Sequence, residues 1–438
     1  MPIPPFVVWM LEQESRAMLT RLARVKPFVL QESMLPAAGL MPASQSAIEN
    51  YLSGGRRQLH ALVDGFLGWL RSPHTQGADA EQAQRRFTLL RLRFNTVLTQ
   101  FDLFNNVITQ RSENETGVWL SGMDVASADA LTLRTPYFDP PPVICYLDRS
   151  MGAAIRRART RLPGGGKNPV SIVKMARERM VGYGIASSLF HEVGHQAAAL
   201  LDLVDSFRAV LRATRKARPH EDDAWRLWDR WISEILADFW GVGWAGIAST
   251  MGLIGTVSLP KAFVFRVNED DPHPAPWIRV KLSAAIGNEL FPQPLWHSMA
   301  RMWEVCYPLE DLGDERTRLL QSLDRTIPHM VRLLVEHRPA ALHGSSIPEV
   351  LDVRERQPAR LRMLLSRWRE MPADMYAARP TMCFAVIGQA RADGRLSPEE
   401  ESVIIGKLLT YWALRSTLQA AAGSARRTRS KCACRHAA

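Results

Sequence analysis

His191, Glu192 and His195 stand within the apolar stretch from Ile185 to Val204, in the order His-Glu-Val-Gly-His. Residues four apart on a helix share a face, so the two imidazoles can reach one divalent metal ion. Glu192, one residue on, then points beside that ion, where a bound water would sit. Leu189, Phe190, Ala197, Ala198, Ala199, Leu200 and Leu201 surround these side chains with apolar atoms. Three polar groups without a common partner would be costly there. The competing reading is a pair of core histidines satisfied by backbone carbonyls. Gly194 weakens a helix by about 1 kcal/mol relative to Ala unless close packing requires it.

A catalytic zinc site needs three protein ligands and one open position. A metzincin-type extension would require Gly at position 198 and His at 201, where this chain has Ala198 and Leu201. The better third ligand is Glu234, in Trp231-Ile-Ser-Glu234-Ile-Leu-Ala-Asp238-Phe-Trp240. Glu234 and Asp238 lie four apart on an otherwise apolar, aromatic helix, so both carboxylates face one way into surroundings that penalise unpaired charge. A cation accounts for both, with Glu234 on the metal and Asp238 accepting the outer N–H of His191 or His195. The alternative is pairing of the two acids with Arg226 or Arg230.

HEVGH on one helix, followed by Glu234, Ala237 and Asp238 in the E-x-x-A-D pattern, resembles the gluzincin branch of the zincin metallopeptidases over roughly residues 140 to 300. The resemblance implies His191, His195 and Glu234 as ligands of Zn2+, Glu192 as general base and Asp238 behind the ligands. It also implies a zincin-like helical core and hydrolysis of a peptide or protein substrate. Zinc would acidify its bound water, Glu192 would take the proton and later return it to the leaving nitrogen, and the hydroxide would attack a carbonyl polarised by the metal. His273 and Arg279, in Asp270-Asp271-Pro-His273-Pro-Ala-Pro-Trp-Ile-Arg279, are the candidate donors to the developing oxyanion, His273 before Arg279. A purely structural loop is the competing reading of that segment.

The elements that must position these groups are mostly helices. Helical spacing marks Ala47 to Arg71 and Glu81 to Gln110, then Ser171 to about Asp205 and Ala224 to about Ile247, with a basic linker from Arg212 to His220 between the last two. Pro142 to Leu147 is the best strand, so a small sheet is expected. Ser112 to Pro142 and the Pro-rich 270–279 segment read as loops. Further helices are expected over Leu319 to Glu336, broken or kinked at Pro328, and over Glu349 to Arg369. The expected fold is mainly α (α+β). A helical N-terminal region spans 1–135, a catalytic domain 136–300, a helical extension 301–371, a small helical unit 372–419 and a basic disordered tail 420–438.

At 438 residues and 46% hydrophobic composition the chain can fill a sizeable core. Its net charge of +11 owes much to Arg426, Arg427, Arg429, Lys431 and Arg435, a tail without stacking aromatics, so no nucleic-acid partner is expected. Five scattered cysteines fit no disulfide framework, and Cys432, Cys434 and His436 on the tail make a poor metal site. With no basic leader before Phe6, a cytoplasmic location is expected. Phe239 to Pro260 is uncharged and as long as a membrane span, but its glycines favour a tightly packed internal helix followed by a broken segment. Arg161-Leu-Pro-Gly-Gly-Gly-Lys167-Asn168 departs from a Walker A loop at both ends and reads as a turn before a helix.

Near the end, Asp393-Gly-Arg-Leu-Ser397-Pro398-Glu399-Glu400 lacks the first acids of a calcium loop. It reads instead as a helix start, with Ser397 as N-cap, Pro398 at the first position and Glu400 closing a capping box. This passage resembles the TerB-like helical module associated with tellurite resistance, over about 45 residues, which implies an accessory or docking role. Two other readings of the whole chain stand beside the peptidase: a stress-associated interaction protein with a structural zinc, and a zinc hydrolase of a small amide or ester.

Overall fold

In a computed structural model of the chain, the apolar run after Pro142 is a strand, β1 (Val143–Asp148), and it is one wall of a three-stranded sheet. The structure describes all residues except 1–2, 25–33, 73–78, 150–151, 163–164, 181, 269, 311 and 437–438, and leaves out the side chains of residues 424 and 426–436. Strand β2 (Ala154–Arg156) pairs antiparallel with β3 (Ser171–Ala176), which pairs parallel with β1 from Val143 opposite Ser171 to Asp148 opposite Ala176, in the order β1-β3-β2. The helix expected from Ser171 therefore begins later. Both faces of β3 are buried, which erases the alternation that marks a half-buried strand.

Side chains alternate across the sheet between two cores. Val143, Cys145, Leu147, Val173 and Met175 belong to the larger one, while Ile144 and Ile172 belong to a second one built by the N-terminal helices. Those helices are α1 (Pro5–Arg24), α2 (Pro42–Leu70) and α3 (Ala80–Ile108). In α3, Phe87, Leu90, Phe94, Val97, Phe101 and Phe104 recur at helical spacing and are all buried, and Asp79 caps its start by accepting from the Gln82 N–H at 2.7 Å. Helix α4 (Asn114–Leu131) occupies most of the segment expected as a loop. Its buried residues include Gly117, Ser121, Asp124 and Ser127, so no apolar stripe betrays it, and only 132–142 stay irregular.

The metal-ligand candidates lie on α5 (Gly182–Leu200) and α7 (Asp222–Ala245), joined through α6 (Leu203–Ala217). Most of the basic linker is thus helix: Leu203, Phe207 and Leu211 bury one stripe of α6 and leave Arg212 and Lys216 outside. The chain then turns at Gly246, φ 57°, into α8 (Ile247–Val257), which packs on α5 where Gly252 meets Ser187. Phe239 to Pro260 is therefore two packed helices, and no helix among the described residues is long and apolar enough to cross a membrane. Gln196 of α5 ties the helix to the sheet by accepting from the Ala158 N–H and the Ser171 hydroxyl, each at 2.8 Å.

After the short α9 (Lys261–Val264), Pro276 opens α10 (Pro276–Leu290), so Arg279 sits in a first helical turn and not in the loop expected for it. Helices α11 (Pro294–Cys306) and α12 (Asp314–Glu336) follow, the latter assigned as one helix through Pro328. The chain closes with α13 (Ile347–Val350), α14 (Pro358–Glu370), α15 (Pro372–Ala377), α16 (Pro380–Ala392) and α17 (Pro398–His436). These last helices share the larger core: the Phe384 ring meets Phe190 of α5 edge-on at 5.4 Å. The capping box opens α17, with the Glu400 N–H on Ser397 Oγ at 3.2 Å and the Ser397 N–H on Glu400 Oε2 at 2.7 Å.

Two segments depart from expectation near their ends. The backbone from Ala420 to His436 continues α17 instead of a disordered tail, in line with the helix preference of Ala, Arg and Lys; the reading of Cys432, Cys434 and His436 as a metal site falls outside the described side chains. Of the glycine run, Pro163 and Gly164 lie outside the described residues. Its flanks form a hairpin, with Arg161 bridged to Lys167 and the Leu162 N–H on the Gly166 carbonyl at 2.7 Å, and lead to β3 and no helix.

Candidate metal centre

His191 and His195 face Glu234 because α5 and α7 approach closely where Gly194 meets Ala237. The His191 Nε2 lies 3.3 Å from Glu234 Oε2, and the His195 Nε2 lies 3.3 Å from Glu234 Oε1. Ligand atoms of all three residues fall within 4.8 Å of one another, so they form a group able to hold a metal ion. Bonds of about 2.0–2.2 Å at tetrahedral angles separate neighbouring ligand atoms by roughly 3.3–3.6 Å, and the observed contacts have that spacing. Glu234 Oε2 is buried and makes no well-aligned hydrogen bond among the described residues, although nitrogens of His191, His273 and Arg279 stand 3.3–3.5 Å from it, an arrangement that a cation would complete.

Behind the ligands, His191 Nδ1 is 2.8 Å from Asp238 Oδ1. His195 Nδ1 is 3.4 Å from Ser233 Oγ, a partner the sequence reading missed, although its place next to Glu234 on a helix was a signal. Asp238 in turn accepts from Arg279, from Nε at 2.7 Å and from Nη2 at 2.9 Å. Arg279 Nη2 also stands 3.5 Å from Glu234 Oε2. Arg226 and Arg230 are engaged elsewhere, Arg226 with Asp223 and Arg230 with the Asp270 carbonyl. The guanidinium of Arg279, expected from sequence as an oxyanion donor, is turned inward onto two acids, Asp238 and Glu234.

His273 occupies the rim. It is half exposed, with Nε2 3.4 Å from Glu234 Oε2 and Nδ1 2.7 Å from Asp271 Oδ1. Asp271 also accepts the His273 backbone N–H at 2.9 Å and so fixes the ring's direction. The Asp-x-His spacing was readable in sequence and went unused. Glu192 is buried, 6% exposed, and its carboxylate makes no hydrogen bond or ion pair among the described residues.

Three carboxyl groups, Glu192, Glu234 and Asp238, thus converge with one guanidinium in a largely buried site. Burial raises the Glu192 carboxyl above its ordinary range, against the pull of His191 and His195. Burial also opposes ionisation of Glu234, but the two imidazoles and Arg279 outweigh it and hold that carboxyl low. For Asp238, Arg279 and His191 likewise outweigh burial. His191 is the counterpart: burial works against its charge, but Asp238 and Glu234 push it up to about 10 when no metal is present. A divalent cation can take the place of that proton.

No family model, no curated protein and no solved structure matches the chain. The functional reading therefore rests on these residues and their geometry.

Proposed function

We propose that the chain is a zinc-dependent hydrolase, and that it cleaves peptide bonds. The observation that carries this reading is the pairing of two imidazole Nε2 atoms with separate oxygens of one buried carboxylate, at 3.3 Å each, beside a buried Glu192 that makes no hydrogen bond or ion pair among the described residues. His191, His195 and Glu234 would hold the metal; Zn2+ suits two imidazoles and a carboxylate, and when bound it supplies a Lewis acid and a water acidic enough to ionise near neutrality. Asp238 and Ser233 orient the two rings, and Arg279 fixes Asp238.

Glu192 accepts a proton from the attacking water and returns it to the leaving nitrogen, a task suited to a carboxyl shifted upward by burial. His273, held by Asp271 at the exposed rim, donates from Nε2 to the oxygen that gains charge on the scissile carbonyl. A structural zinc would call for a fourth protein ligand. His273 is the nearest imidazole, yet it stands outside the group of three whose ligand atoms lie within 4.8 Å.

The test is incubation of the zinc-loaded full chain with a mixture of denatured proteins, with new termini identified by mass spectrometry. Termini produced by the wild type and absent with Glu192→Gln support a peptidase. Turnover of simple amides or esters alone would move the substrate to small acyl compounds. Zinc held without any turnover would favour the structural, interaction-protein reading and its TerB-like C-terminal segment.

A further inference from the structure

Helix α5 begins without an acid of its own: its first turn contains none, and the preceding Val181 has no side-chain oxygen to cap it. The orphan N–H groups and positive end of such a helix call for an acceptor. One arrives from more than two hundred residues away. Glu401 of α17 is 3% exposed, and its carboxylate lies against the first residue of α5, where the nearby Tyr183 backbone N–H favours its charged form. Gly182, at φ 36°, is the first residue of α5, and a Cβ there would overlap the Glu401 carboxylate, so the glycine is what admits the acid to the helix end. The capping box of Ser397 and Glu400 sets the start of α17 and thereby carries Glu401, one residue later, to this place.

We propose that Glu401 is a positioning residue for the metal centre: it caps α5 in place of a local N-cap and so couples the C-terminal helices to the placement of His191 and His195. This rests on the reading of those histidines as ligands. It also gives the TerB-like segment a task within the chain, since the acid follows directly on its Ser-Pro-Glu-Glu run.

Burial lifts the Glu401 carboxyl to about 7, against the pull of Arg391 and of the Tyr183 N–H. Arg391 of α16, with Nε 3.8 Å from Glu401 Oε2, is the charged side chain that faces it; from α5 it meets a backbone N–H and no charge. Because the folded value lies above the ordinary one near 4.3, the stability tied to the protonated form is complete below about 4.3 and lost as pH rises through about 7. Glu401→Gln keeps an acceptor for Tyr183 and cannot ionise.

The experiment compares wild type, Glu401→Gln and Glu401→Ala as full chains by amide hydrogen exchange and by zinc affinity in competition with a chromophoric chelator, from pH 6 to 8. In Glu401→Ala, exchange in the first turns of α5 should rise roughly five- to tenfold while the sheet is unchanged, and zinc binding should weaken about tenfold. Glu401→Gln should stay near wild type in both, and should lack the wild type's pH dependence of stability around 7. Equal exchange at the start of α5 in all three would overturn the proposal, as would loosening of α5 with zinc affinity unchanged. If Glu401→Ala does not fold, Glu401→Ser, too short to reach the start of α5, takes its place, and wild-type exchange in the first turns of α5 of that variant would refute the cap. A wild type that binds no zinc defeats the functional reading instead, and leaves the exchange data to judge the cap alone.

Discussion

Gly194 of α5 lies so close to Ala237 of α7 that a Cβ on the glycine would come within 2.9 Å of both the Cα and the carbonyl oxygen of Ala237. This contact sets the distance between the helix bearing the two imidazoles and the helix bearing Glu234. Ala at 194 would favour the isolated helix by about 1 kcal/mol, yet crowding in a packed core costs roughly 1–3 kcal/mol. Gly194→Ala should therefore lower the denaturation midpoint and weaken zinc binding together. A variant more stable than wild type, with zinc affinity intact, would show that the helices can part without loss.

Glu192→Gln should retain zinc and lose hydrolysis by roughly 10²- to 10⁴-fold, since the amide fills the same space but cannot take a proton. Metal content and turnover measured on one preparation decide the matter. Loss of zinc from this variant would instead make Glu192 part of the binding set.

Arg279 and Asp238 form a two-point ion pair with side chains only 11% and 12% exposed. Breaking a buried pair from one side leaves an uncompensated charge, so Arg279→Ala should cost about 3–5 kcal/mol. Asp238→Asn should weaken zinc binding by roughly 10- to 100-fold through the loosened His191 ring. Chemical denaturation of Arg279→Ala and chelator competition with Asp238→Asn check the two effects separately; an Arg279→Ala chain of wild-type stability would remove the anchor role.

Proton release supplies an independent reading of the same cluster. In the metal-free chain Asp238 and Glu234 hold His191 protonated up to about pH 10. A metal needs the neutral ring, so zinc binding at pH 7.5 should release about one proton from His191. The stability that this proton contributes without metal is present below about 6.5 and lost as pH rises towards about 10. Calorimetry in buffers of different ionisation enthalpy measures the release, and a value near zero would mean that His191 is already neutral.

The cluster of His191, His195 and Glu234 was more legible in sequence than the connections around it. HEVGH, the Glu234 and Asp238 pair and the Ser397–Glu400 capping box follow from local spacing, and local spacing survives folding, whereas the close packing that requires Gly194 comes from Ala237 on another helix. The loops and helices that were misread lack such a signal. Helix α4 buries small and polar residues on several sides, so it shows no stripe, and β3 is covered on both faces, so it shows no alternation. The roles of Arg279, Ser233 and Glu401 depend on partners 38 to 218 residues away, which no periodicity announces.

X-ray absorption at the zinc edge of the purified chain, with the metal counted per molecule, asks most directly whether His191, His195 and Glu234 share an ion. The expected result is about one zinc bound by nitrogen and oxygen atoms at about 2.0–2.2 Å, lost with Glu234→Ala. A chain that takes up no zinc, or one whose zinc is bound by sulfur at about 2.3 Å and survives Glu234→Ala, would contradict the assignment.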